Sequence, residues 1–145
     1  MSAAPHPAPD PAPHPALALQ RAIQSAVATD PTLTALIGAR VFDRVPDRAR
    51  TPYVTHGRVE TMALDGDAPG TQQHLLTLDV WSRARGRREV LDVLAGLRRA
   101  LHRTAPALDG HRLVSLREVT ASIGPDEDGL QRGTATYRAV TEPNT

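Results

Sequence analysis

Cysteine and lysine are both absent from the 145 residues. Without cysteine there is no disulfide, no thiolate nucleophile and no cysteine-based metal site. Without lysine, all seventeen positive side chains are arginine. Together with abundant alanine this reflects a GC-rich coding sequence, and it also supplies the cation better suited to contacts between subunits. Aromatic residues are scarce: Phe42, Tyr53, Trp81 and Tyr137 are the full set, which leaves little for a base-stacking platform or a carbohydrate site. No apolar run approaches the roughly 18 residues of a membrane span. The N-terminus has no basic-then-apolar signal, so the chain reads as soluble and intracellular, with no membrane partner. A net charge of +1 gives no overall field favouring nucleic acid.

Proline is what the sequence has in excess, and unevenly. From Pro5 to Pro15 every second residue is proline. Each lacks an amide donor and fixes its own φ, and each residue before it is pushed out of the α region. The tract PHPAPDPAPHP is therefore extended, close to polyproline II, and its eleven residues reach about 34 Å. With nothing local to bury, residues 1–15 form an arm expected to lie across a neighbouring protein, which makes Pro5, Pro7, Pro9, Pro11 and Pro13 candidate contacts. Residues 16–145 are enough chain for one domain with one core.

Apolar Leu19, Ile23, Ala26 and Val27 follow one helical face. Asp30-Pro31 reads as an N-cap with proline at the first helical position, opening a short helix that Gly38 closes. ARVFDRVP is a short strand or extended link. PYVTHGRVE (52–60) alternates as a strand with a bulge at Gly57, and 61–73 reads as a long exposed loop. HLLTLDVWS (74–82) is the clearest strand. After the basic turn RARGRR, residues 89–103 make the clearest helix, with a buried stripe of Val90, Leu94, Leu97 and Leu101 widened by Leu91 and Val93. Strands at 111–122 and 130–142 flank an acidic turn at 124–129. The order predicts an α+β fold: an antiparallel or mixed sheet with helices packed on one face, a two-layer sandwich.

Catalytic patterns are missing. No G-x-S-x-G elbow surrounds a serine and the glycines form no phosphate loop. His6 and His14 lie in the arm, and His56, His74, His102 and His111 come from four different elements with no ligand spacing, so no metal, cofactor or catalytic residue is expected. Charge is the remaining signal. Seven arginines between Arg83 and Arg103 face only Glu89 and Asp92, and Asp126, Glu127 and Asp128 follow one another. Arg85, Arg87, Arg88, Arg98 and Arg99 on one side and the acidic turn on the other are candidate opposed patches between copies, with Asp65 and Asp67 of the 61–73 loop as further contacts.

A helical start leading to LTALIGARVFDRVP, then TPYVTHGRV, an acidic loop, HLLTLDVWSR, a helix and two strands resembles the small tail-completion proteins, or tail terminators, of long-tailed phages and phage-like gene transfer agents. The resemblance spans roughly residues 17–140 and leaves out the proline arm. It implies a non-enzymatic structural protein, assembled in the cytoplasm into a phage-like particle. Six copies would form a ring on the head-proximal end of the tail tube, stop its growth and join it to a head-side stopper or adaptor protein. DNA would pass through the centre without sequence-specific binding. The alternatives are a head-side adaptor or stopper of the same neck, and a basic-helix nucleic-acid-binding module.

Overall fold

The computed structural model describes residues 12–64, 69–103 and 107–144. Helix α1, Pro15–Ala28, opens at the last proline of the tract, with the His14 ring nitrogen Nδ1 accepting from the Ala16 amide at 3.0 Å. Its stripe of Ala18, Leu19, Ala22, Ile23, Ala26 and Val27 is buried. Helix α2, Pro31–Ile37, is capped as its sequence predicts: Asp30 Oδ1 accepts from the Leu33 amide at 3.0 Å, and Gly38, at φ 59°, ends it. The chain then forms β1 (Val41–Phe42), β2 (Tyr53–Ala63), β3 (Gln72–Ser82), α3 (Arg88–Arg103), β4 (His111–Pro125) and β5 (Gln131–Pro143).

The strands lie in the order β1-β2-β3-β5-β4. Among the described residues only the β1–β2 pair is parallel, so the sheet is mixed and the fold is α+β. One face is apolar because β3 and β5 are in step. Leu76 lies opposite Tyr137 and Leu78 opposite Ala135, and all four are buried with Val54, Val80 and Ala139 under the helices. Helix α3 packs closely over Gly133, where an added Cβ would stand 2.5 Å from Val90 Cγ1 and 3.0 Å from Leu94 Cδ1. A side chain there would overpack the α3–β5 contact. Among the described residues no helix is long and apolar enough to cross a membrane.

Two expectations need correction. The stretch 61–73 is not one long loop: Thr61 pairs with His74, Met62 with Gln73 and Ala63 with Gln72, so β2 and β3 extend well into it. The apolar alternation fails there because the helix-side face is filled by polar groups, Thr61, His74 and Thr141, which bond one another. Removing 61–73 would therefore take away paired strand. In α3, the buried stripe runs through Val90, Val93, Leu94, Leu97, Ala100 and Leu101, whereas Leu91 is 52% exposed. Leu91 sits about 100° round the helix from Val90 and points off the core. The bulge at Gly57 is present as a register shift between His56 and Val59.

Candidate assembly surfaces

The two ends of the sheet differ chemically. At one end Ser82, the last residue of β3, pairs with Gln131, the first of β5, and Pro125 of β4 pairs with the same residue. The basic turn after β3 and the acidic turn between β4 and β5 therefore emerge together. Buried Ser82 braces the basic turn: its hydroxyl donates to Glu89 Oε1 at 2.7 Å and accepts from the Ala84 amide at 3.0 Å. Arg83, Arg85, Arg87 and Arg88 are exposed. Only Arg88 has an ion pair among the described residues, a 3.8 Å contact with Asp92 one helical turn on, and so open a pair contributes little. The acidic turn is a 3-10 turn, Glu127–Gly129, closed by the Asp126 amide donating to Leu130 O at 2.7 Å. Asp126, Glu127 and Asp128 have no ion pair among the described residues. Two uncompensated patches of opposite sign thus share one end of the fold.

Arg98 and Arg99 do not join them. On the last turns of α3, Arg98 Nε lies 3.5 Å from Glu118 Oε2 of β4, and an Arg99 guanidinium nitrogen lies 3.1 Å from Asp30 Oδ1. The Arg99 hydrogen bond, with the Leu33 amide behind it, holds the Asp30 carboxyl below its ordinary value. Arg99 thereby ties α3 to the cap of α2, a link between elements that spacing within α3 could not reveal.

The sheet face away from the helices carries a row unseen in the sequence. Phe42, Tyr53 and Trp81 stand side by side on β1, β2 and β3, with ring centroids 5.8 Å and 6.5 Å apart. Arg132 of β5 continues the row, 5.1 Å above the Trp81 ring. Asp79, nearly buried, accepts from Arg132 Nε at 3.3 Å and from Thr134 Oγ1 at 2.7 Å. Trp81 Nε1 donates to Thr55 Oγ1 at 3.0 Å. Three of the four aromatic residues therefore meet in one place, although 28 to 39 positions separate Trp81 from the other two. The strand register is what joins them.

The opposite end holds the root of the arm. Ala12 rests on Gly110, which adopts φ 77° and has no room for a side chain: an added Cβ would stand 2.5 Å from Ala12 Cβ. Pro13 O accepts from His111 Nε2 at 2.8 Å. Nearby, His74 is wholly buried, with Nδ1 2.8 Å from Thr61 Oγ1 and Nε2 2.9 Å from Thr141 Oγ1. Burial first, then the neighbouring His14 and His111, pushes its pKa down to about 4. No spacing in the sequence marks His74 as a core residue. Of the sequence candidates, Pro5, Pro7, Pro9, Pro11, Asp65 and Asp67 lie outside the described residues, and Pro13 is at the root. Among the described residues no group of three histidines or acids is placed to hold a metal ion.

The family model described as tail completion protein gp17 matches residues 21–142. A chain in the structure titled virion of native gene transfer agent (GTA) particle is similar in fold, with a TM-score of 0.81 and 27% identity. The match covers 88% of this chain and 97% of that one. No curated protein matches in sequence.

Proposed function

We propose a role for this protein from the premise that the chain belongs to the tail completion protein gp17 family: it is a structural protein of a phage-like tail, and it closes the head-proximal end of the tail tube. In this reading six copies form a ring that stops tube polymerisation and presents a surface to a head-side stopper or adaptor, with DNA passing through the centre. Assembly takes place in the cytoplasm, and no catalytic step is involved. The observation that carries the reading is extent: the family match and the virion-chain match each run through nearly the whole folded domain, not one motif of it.

The shape of the chain supports a joining role. A closed ring needs a patch on one copy to meet a different patch on the next, and a ring between tube and head needs two unlike faces. What supports this reading is that the two ends of the sheet are unlike: the Arg83–Arg85–Arg87 and Asp126–Glu127–Asp128 turns, without ion pairs among the described residues, stand at one end, and the arm root at Gly110 stands at the other. Exposed charges of this kind steer and select partners more than they hold them.

Particles assembled without this protein test the reading. Tail tubes are expected to grow beyond their normal length and heads to remain unjoined, and supplying the chain in trans should restore both. Tubes of normal length joined to heads in its absence would refute it.

A further inference from the structure

Between α1 and the β2–β3 hairpin lies an apolar groove of about 300 Å³. Leu19 and Leu76 form its base, and exposed Leu17 and Val59 stand among its lining residues. His56 also lines it, and His56 Nε2 is buried with no hydrogen-bond partner among the described residues. A buried polar nitrogen left unpaired costs free energy, so the groove has both an apolar surface and an unmet polar demand.

Residues 12–14 lead out of this groove, with His14 at its rim. From α1 the arm crosses the helix side of the sheet: His14 caps α1, Pro13 bonds to His111, and Ala12 sits on Gly110 just before β4. Strand β4 is one edge of the sheet, while β2, which walls the groove, lies beside the opposite edge. From His14, which lines one end of the groove, the chain thus leads outward through Pro13 and Ala12 toward the β4 edge. In a closed ring of like copies, that side of one subunit faces the other side of the next.

We propose that residues 1–11 of each copy lie in the α1–β2 groove of the adjacent copy, so that every subunit straps its neighbour. This rests on the ring reading above and adds to it the occupant and the direction of the contact. Residues 5–11, the prolyl part of this segment, extend about 22 Å in polyproline II, with residues 1–4 beyond them, enough to cross from one subunit edge onto the next. The chemistry matches the site. Prolines at 5, 7, 9 and 11 supply apolar rings and carbonyl acceptors without competing amide donors. A His56 Nε2–H donor is what such a segment can satisfy. The alternating Ala, His and Asp side chains are small enough for a shallow groove. The tract gives up little further freedom on docking, and six weak straps in one ring reinforce each other.

The absence of cysteine makes the test clean. Ala8→Cys in the arm and Val59→Cys at the groove are introduced separately, and the two kinds of copy are mixed before assembly into particles and mild oxidation. Disulfide-linked dimers are expected, about tenfold or more above a control mixture of Ala8→Cys with Thr32→Cys on α2, as befits a tethered encounter. Copies carrying both Ala8→Cys and Val59→Cys should give linked chains of up to the full ring. Cross-linked monomers from the double variant, with none between mixed copies, would place the arm in its own groove and overturn the proposal. So would linkage no greater than the control. Imaging the necks of the same particles separates the two readings, because a ring without the link refutes the strap alone and a missing ring refutes both.

Discussion

Tyr137→Ala is expected to destabilise the domain by about 3–5 kcal/mol, the range for deleting a buried aromatic side chain, whereas Tyr137→Phe should cost nothing or stabilise by up to about 1 kcal/mol. Tyr137 has no exposed surface and is the largest fully buried side chain in the core. It stands opposite Leu76 on β3 and Glu118 on β4, so alanine would open a cavity at the centre of the sheet's covered face. Its hydroxyl is buried without a hydrogen-bond partner among the described residues, and burial raises its pKa far above the ordinary phenol value. Phenylalanine keeps the packing and removes that unpaired group. Small domains have only about 5–15 kcal/mol in hand, so the alanine variant should be partly unfolded at 37 °C. Urea denaturation of the three proteins checks both halves. A phenylalanine variant as weak as the alanine one would mean that the hydroxyl is bonded and the core account wrong.

His74 makes the fold sensitive to acid in a defined window. Its pKa is about 4 folded against 6.5 for the free group. Above pH 6.5 the ring is neutral in both states and its stabilising contribution is complete. As pH falls from 6.5 toward 4 the unfolded chain takes up a proton that the folded chain refuses, so stability is lost progressively, by up to about 3 kcal/mol. The threonine hydroxyls on either side can accept as well as donate, so protonation does not break the two hydrogen bonds. What it does is bury a cation beside His14 and His111, with no offsetting carboxylate among the described residues. His56, also held down by burial, shifts stability the same way. The difference between wild type and His74→Gln therefore isolates His74: the gap between denaturation midpoints at pH 7 and pH 4.5 should be clearly smaller for the variant than for wild type, the remainder being the share of His56. An equal acid response in both would contradict the assignment.

Local chemistry was the legible part of the fold. Asp30, Pro31 and Gly38 bound α2 through interactions within a few residues of one another. The α3 stripe and the β3 alternation are periodic, so they too can be read without a partner. Features that depend on register or on contacts between elements were hidden. The ends of β2 and β3 were missed because Thr61, His74 and Thr141 satisfy each other on a face where aliphatic residues give the usual signal. The Phe42–Tyr53–Trp81–Arg132 row exists only once four strands are in register. Of the charged candidates, Arg85, Arg87 and the acidic turn remain uncompensated at one end, while Arg98 and Arg99 have partners on β4 and before α2. The same charge run thus splits between surface and scaffold at the point where α3 turns back over the sheet.

Image reconstruction of the neck in assembled particles, made without imposed symmetry and with this chain tagged at its C-terminus, tests the central claim most directly. The account predicts a single ring of six copies at the junction of tail tube and head, around an open channel. A single copy, a ring of twelve, or a tag located away from that junction would contradict it.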